Sequence, residues 1–426
     1  MRRAALMDLK RRGAEELLAA LPMPGCDAPD EAGWARDARA KARARMLEMG
    51  APARRDEYWK YTDPARLTAP LALVEPGEGP TEIPFAGVPA LRFVNGRFRA
   101  DLSDAIDGAA AIALSDALRQ DLGIARTIFG QLEEAGHEKV ARPLAALNTA
   151  AATDGIVLQA TDRATLHLRH DHVGEGASLL HHVIRVEAGA ELTLLETGAS
   201  ANTVMEVDLA PGAICHHLRI QEGERLPSAT HIFARLGGEA AFKTFTLTAD
   251  GGLTRNEVVL EFTGDHASGH IAGAVLGRET GAGAAHIDNT VFVTHGAEHC
   301  ESRQVFKNVI SDKAKAVFQG KIFVREGAQK TDGYQISQGV LLTDGAEFLV
   351  KPELEIYADD VACSHGSTTG ALDETALFYL RSRGVPQVAA EAMLVAAFVD
   401  EAIMEIADEA LADLMRDHVA AWMAAR

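Results

Sequence analysis

Cysteine is scarce: the 426-residue chain has four, Cys26, Cys215, Cys300 and Cys363, so far apart that no CxxC pair exists. That spacing excludes a zinc knuckle and a self-contained four-thiolate cluster motif, both of which need thiolates a few residues apart. The thiols are expected to be buried and reduced, and a metal cluster, if one is handled at all, would draw ligands from elsewhere or from a partner chain. Long apolar runs are missing too. Even Val388 to Ile406 carries Glu391, Asp400, Glu401 and Glu405, so no stretch reaches the roughly 18 to 20 apolar residues that cross a bilayer. Asp8 and Lys10 interrupt the start of the chain, which leaves no signal-peptide core and makes the cytoplasm the expected location. Basic charge is in short supply, with 42 Lys and Arg against 61 Asp and Glu for a net charge of -19. Such a surface repels a phosphate backbone, so no nucleic-acid partner is expected. The GxSxG, GxxxxGK(S/T) and HExxH signatures are also absent, which removes the hydrolase, nucleotide-loop and zinc-protease designs they mark. Any ATP hydrolysis would need a partner.

What is present divides the chain. Hydrophobic residues at 47% and charged residues at 24% are ordinary globular usage, and the length allows two or three domains or one elongated, repeat-like body. From Ala4 to about Met49 apolar residues recur at helical spacing, broken by Leu21-Pro22-Met23-Pro24-Gly25, which predicts two helices. Lys10 to Arg12 and Arg36 to Arg45 read as a solvated face of those helices. Pro64, Pro70, Pro76, Pro80, Pro84 and Pro89 then lead to Leu91-Arg92-Phe93-Val94 and the turn Asn95-Gly96, a small hairpin. Helical spacing returns from Ser115 to about Thr149.

From Gly155 to about Val361 the texture changes to short alternating runs such as Thr165-Leu166-His167-Leu168 and Glu347-Phe348-Leu349-Val350. Gly-Ala turns recur at Gly176, Gly189, Gly212, Gly296, Gly327 and Gly345. Strands of this kind suit a sandwich, a barrel or a β-solenoid. Short strands with unequal loops favour the solenoid, with the helical regions on both sides capping its ends. After Gly370 helices resume. Asp373 is the expected N-cap of Glu374 to Arg383, and Gly384 its left-handed stop. A helix from Pro386 to about Asp408 follows, with Val388, Met393, Val395, Phe398, Val399 and Ile403 on its apolar side, and a last one runs from Glu409 to Ala424.

Two features bear on chemistry. Thirteen of the sixteen histidines lie between His167 and His299. Residues two apart in a strand share a face, so His170 and His172 could chelate, whereas the adjacent pairs His181-His182 and His216-His217 point apart. With no carboxylate or thiolate at a matching spacing, core or surface roles are expected for these histidines. In Tyr357 to Gly366, Cys363 and His365 are also two apart, at the expected strand-to-helix junction, and would share a face. A thiolate and an imidazole suit iron but supply two ligands where a stable site wants four. A small buried Cys and a turn-stabilising His is the alternative reading.

Several separated stretches resemble the SufD family of the SUF iron-sulfur assembly system, paralogous to SufB. They are Glu57-Tyr58-Trp59-Lys60-Tyr61-Thr62-Asp63, Ala145 to Ala150, Gln319-Gly320-Lys321-Ile322, Lys330-Thr331-Asp332, Lys351-Pro352-Glu353-Leu354-Glu355-Ile356, Asp359 to Gly366, and Leu377 to Gly384. Between Leu166 and Thr248 the likeness is one of texture, and Gln335 to Thr343 departs from the family's run. The Cys-Ser-His triplet and short N-terminal region favour SufD over SufB. The resemblance implies a mainly β chain with helical ends: 1–150 helical with a small β-hairpin segment, 151–362 a right-handed parallel β-helix, and 363–426 a C-terminal helical domain. It further implies a non-catalytic scaffold that pairs with SufB through the β-helix and binds the ABC-type ATPase SufC through the C-terminal helices, at Leu377, Phe378, Tyr379, Leu380 and Arg381. A transient iron-sulfur cluster shared with SufB would take ligands from His365 and Cys363, with no permanently bound cofactor. In the implied mechanism, ATP draws two SufC subunits together and the helices transmit the movement until the SufB-SufD seam opens. An isolated chain could homodimerise. The competing readings are a β-helix enzyme acting on polysaccharide, a SufB paralogue, and a homodimeric module without metal.

Overall fold

The computed structural model describes residues 2–21, 30–69, 85, 87–173, 176–198, 200–222, 226–281 and 283–425. Cys26, the break at Pro22 to Gly25, Pro70, Pro76, Pro80 and Pro84 lie outside the described residues. From Ile156–Ala160 to Ala362–Gly370, successive strands alternate between a nine-stranded and a ten-stranded sheet and pair in parallel with the strand one turn away. This is the solenoid.

Each strand buries alternate side chains inside the coil, and helices cover much of the outside, so several strands are buried on both faces; Asn202–Leu209 is buried along its whole length. The interior is a continuous column of Leu166, Leu168, Leu192, Leu194, Cys215, Phe242, Ile271 and Phe306 from one sheet against Ile184, Val207, Leu236, Leu260 and Val293 from the other. The Gly-Ala pairs are corners of the coil: Ala190, Ala213, Ala297, Ala328 and Ala346 are buried there. Gly189 and Gly212 take left-handed conformations (φ 76° and 72°), which a glycine adopts without strain.

The first turn is capped. Strand Ala90–Val94 pairs in parallel with Arg163–Asp171, returns through Asn95 and Gly96 into Arg97–Phe98, and Ala109–Ala113 pairs antiparallel with Ile156–Ala160. The stretch from Ser115 to Thr149 is helical, in the short helices Leu114–Ala117, Gly123–Ile128, Gln131–Ala135 and Pro143–Ala151. Gly123, Gly130, Gly136 and Pro143 break the periodicity, with Gly130 left-handed at φ 72°. The N-terminal helices Arg2–Ala20 and Gly33–Met49 fall where the spacing placed them, but the basic face is not all solvated. Arg39 is buried, ion-paired with Glu31 at 3.2 Å and donating to the carbonyls of Thr149, Ala150 and Ala152.

The other end differs from the capped design expected of it. Strand Ala362–Gly370 carries the solenoid beyond residue 362, and the first C-terminal helix starts only at Glu374. Helices Gln387–Ile403 and Glu409–Ala424 then fold back along the outside of the ten-stranded sheet, where Val395, Val399, Ile403, Met415 and Trp422 pack on Leu195, Leu218, Leu247, Ala274 and Val309. Polar contacts secure them: Lys307 with Glu401, His270 with Glu405 at 3.0 Å, His418 with Glu222 at 2.9 Å, and Trp422 Nε1 donating to Asp250 at 3.0 Å. Val388 and Met393, expected on the apolar side, are exposed. Met393 lies about 200° around the helix from Val395, and nothing described covers Val388. No described helix is long and apolar enough to cross a membrane.

Candidate functional site

Because the C-terminal helices lie alongside the coil, its last turn is left open. Strands Glu347–Ile356 and Ala362–Gly370 are the terminal strands of their sheets, each with one edge unpaired. Two adjacent bare edges are a template for pairing with another chain. Interior side chains that a further turn would bury, Phe348, Val350 and Leu354, are only half-buried here.

Cys363 and His365 stand on this last turn, within the strand rather than at its junction with a helix. Cys363 lies in register beside Gly333 and His365 beside Gln335. Both belong to the inward-facing set of the coil, as the shared-face argument required, for Ile336 on the alternate face packs with the outer helices. Cys363 is half-buried among Ile322, Leu354 and Val361. A Cβ at Gly333 would come within 3.2 Å of its Sγ, so glycine is what lets the thiol sit down on the turn beneath. Burial pushes the Cys363 thiol up, outweighing the hydrogen bond from the Gly333 backbone that favours the thiolate. It is therefore a thiol at neutral pH until a metal displaces the proton. His365 faces inward yet is exposed, because no turn follows. Among the described residues no set of three His, Cys, Asp or Glu side chains is arranged to hold a metal, so the pair remains two donors.

Of the middle-turn histidines, His167, His170, His181, His182, His217, His231 and His295 are buried, whereas His266 and His299 are exposed. His167 bonds the Thr197 hydroxyl at 2.7 Å, His181 bonds Asn148 and Glu206, His217 bonds Thr244 and Glu196, and His295 bonds Ser302. His181 and His182 point apart: one ring meets Phe129 under the helices, the other Phe93 in the coil. His170 is buried 3.4 Å from Glu196, while His172 lies just past the strand's end. Cys215 and Cys300 are free, buried thiols, and burial pushes Cys215 up to about 12.

Helix Glu374–Ser382, capped by Asp373 as expected, buries no residue fully. Leu377 and Leu380 are half-buried, Tyr379 and Arg381 are exposed, and Phe378 is 73% exposed. With Val388 and Met393 on the next helix, this makes an apolar surface that the described structure leaves uncovered.

Sequence reasoning missed a buried ionic clamp. Segment Glu57–Thr62 crosses the outside of the nine-stranded sheet: Thr62 donates to Asp288 at 2.5 Å, Tyr58 to Glu353 at 2.5 Å, and Trp59 lies over the Arg255 guanidinium at 4.1 Å. Arg255 in turn pairs with Glu257 and Asp288, and Arg142 with Glu257 at 3.0 Å. The Trp-Lys-Tyr-Thr stretch was visible, but its partners lie some 200 residues or more away and share no local pattern with it.

Comparison with known proteins bears on what such an end face is for. The SUF system FeS cluster assembly, SufBD core domain family matches residues 168–398. Iron-sulfur cluster assembly protein SufD of Escherichia coli is 30% identical over 387 residues, 86% of this chain and 88% of that protein. A SufBD family protein of Synechocystis is 28% identical over 393 residues, covering 83% of this chain and 84% of its own length, and one of Mycobacterium tuberculosis is 26% identical over 247 residues, 55% of this chain and 61% of its own. The match sets aside the polysaccharide-active reading, and the chain belongs to the SufD family of iron-sulfur cluster assembly proteins.

Proposed function

We propose that this chain is a non-catalytic scaffold subunit that pairs through the open end of its solenoid with a SufB-type partner and binds the ATPase SufC through helix Glu374–Ser382. The observation that carries the reading is the uncapped last turn, whose bare edges and half-buried interior residues coincide with the two metal-friendly side chains. Solenoids need their terminal turns covered. A partner's last turn laid against Glu347–Ile356 and Ala362–Gly370 would continue both sheets and enclose Cys363 and His365 at the seam. The nascent cluster is cargo there: His365 and Cys363 lend two donors and the partner the rest. The exposed Phe378 surface supports docking of the ATPase, whose nucleotide-driven closure would pull on helices anchored along the solenoid and strain the seam.

The test is co-expression with SufB and SufC. Val350→Asp should release SufB while the chain alone stays folded. His365→Ala should leave the three-protein complex intact but lower its iron and sulfide, with Cys363→Ala a weaker case. An intact complex with full iron and sulfide after His365→Ala would end the donor reading, and retention of SufB by Val350→Asp would end the end-face reading.

A further inference from the structure

Behind His365, inside the coil, the residues are not what a hydrophobic core calls for. Gln335 is the register partner of His365 on the preceding turn, and Gln304 is the register partner of Gln335 one turn deeper, so the three form a single inward-facing file. Gln335 is 1% exposed and Gln304 0%, and neither the oxygen nor the nitrogen of either amide has a hydrogen-bond partner. The Gln335 amide reaches across the coil onto Gly320 of the opposite sheet, where a Cβ would fall 1.9 Å from its Nε2. Gln221, elsewhere in the coil, is buried and unpartnered as well, whereas buried Asn148 donates to the carbonyls of Leu180 and Asn202 at 3.0 Å. Leaving a buried polar group unmet costs about 1–3 kcal/mol, and folded proteins keep few of them. Two such glutamines in succession, ending at an imidazole about 4.8 Å along the sheet, are placed to serve that imidazole.

We propose that Gln335 is a positioning residue for His365: its amide bonds the inward ring nitrogen, directly or through one water, and thereby fixes the tautomer that turns the other nitrogen toward the open end. Gln304 lies behind Gln335 in the same file, and Gly320 leaves the room the amide occupies. A histidine that donates to a metal is held at its second nitrogen, which orients the ring and raises its basicity. The inference rests on the reading of His365 as a donor.

The test uses the full chain alone, labelled with nitrogen-15 histidine, with the His365 signals identified by their loss in His365→Ala. At a pH where the ring is neutral, wild type is expected to show one dominant tautomer, and Gln335→Met, which keeps length and loses the amide, the mixture of a free imidazole. In the complex, Gln335→Met should lower cluster retention about tenfold with the subunits still associated. An unchanged tautomer ratio in Gln335→Met overturns the proposal. Should that variant fail to fold, Gly320→Ala displaces the amide without removing it, and the same two outcomes decide. His365→Ala in the complex tests the donor reading separately, so a failure there is distinguishable from a failure of the Gln335 contact.

Discussion

Arg255→Met should destabilise the chain by about 3–5 kcal/mol, the cost of removing one partner from a buried ion pair. Arg255 is 1% exposed, donates from Nε to Glu257 at 2.7 Å, pairs with Asp288 and lies under Trp59. Its removal leaves two buried carboxylates with Arg142 as the remaining paired cation, beside the Thr62 hydroxyl. Burial pushes the Glu257 carboxyl up, but Arg255, His231 and Arg142 together outweigh burial and bring it from the ordinary 4.5 down to about 2. A depressed carboxyl contributes stability that is full above pH about 4.5 and is lost as pH falls toward about 2. In Arg255→Met the same carboxyl is driven up by burial, so protonation relieves it and the deficit against wild type should shrink between pH 7.5 and 4.5. Urea unfolding followed by circular dichroism at both values measures this. A loss under about 1 kcal/mol at pH 7.5, or one equal at both values, would refute the clamp as a stabilising element; the magnitude follows from burial of the pair.

Phe378→Asp should abolish capture of SufC while shifting stability by less than about 0.5 kcal/mol, since the side chain is 73% exposed; co-purification and thermal unfolding check the two halves. His418 is raised above its ordinary value by its hydrogen bond to Glu222. That contact is therefore fully present below pH about 6.5 and lost as pH rises through the folded value, so the protection factors of Glu409–Ala424 amides, exchange rates divided into the intrinsic base-catalysed rate at each pH, should fall as pH rises in wild type and stay level in Glu222→Gln. Iodoacetamide should label Cys363 in the isolated chain more slowly than a free thiol at pH 8, because burial keeps it protonated, and the rate should climb as pH rises; labelling as fast as glutathione would contradict the apolar setting given by Ile322 and Leu354.

Much of the architecture was legible because it is written in local periodicity. Strand alternation, the Gly-Ala corners, the Asp373 cap, the Gly384 stop and the helix Glu409–Ala424 all depend on neighbours within a few residues, and all stand where the spacing put them. The shared face of Cys363 and His365 follows from the two-residue repeat of a strand for the same reason. Less local features were misjudged. The helical spacing from Ser115 to Thr149 left open where the helices break, which three glycines and a proline decide. Arg39 was read as solvated, although Glu31 and three carbonyls enclose it, because a burial partner more than a hundred residues away leaves no mark on a helical charge pattern.

By itself, then, the order of residues determined which segments coil, which turn and which two donors share a side, since short-range sterics and hydrophobic repeat decide those. Tertiary structure alone decided that the C-terminal helices run along the solenoid instead of closing it, and hence that Cys363 and His365 stand on a last turn left open. The same apolar helix face can bury itself against a side or an end of the coil. Which one it meets is set by the packing of Val395, Val399 and Trp422 on residues of strands far earlier in the chain, a contact that no spacing within the helix records.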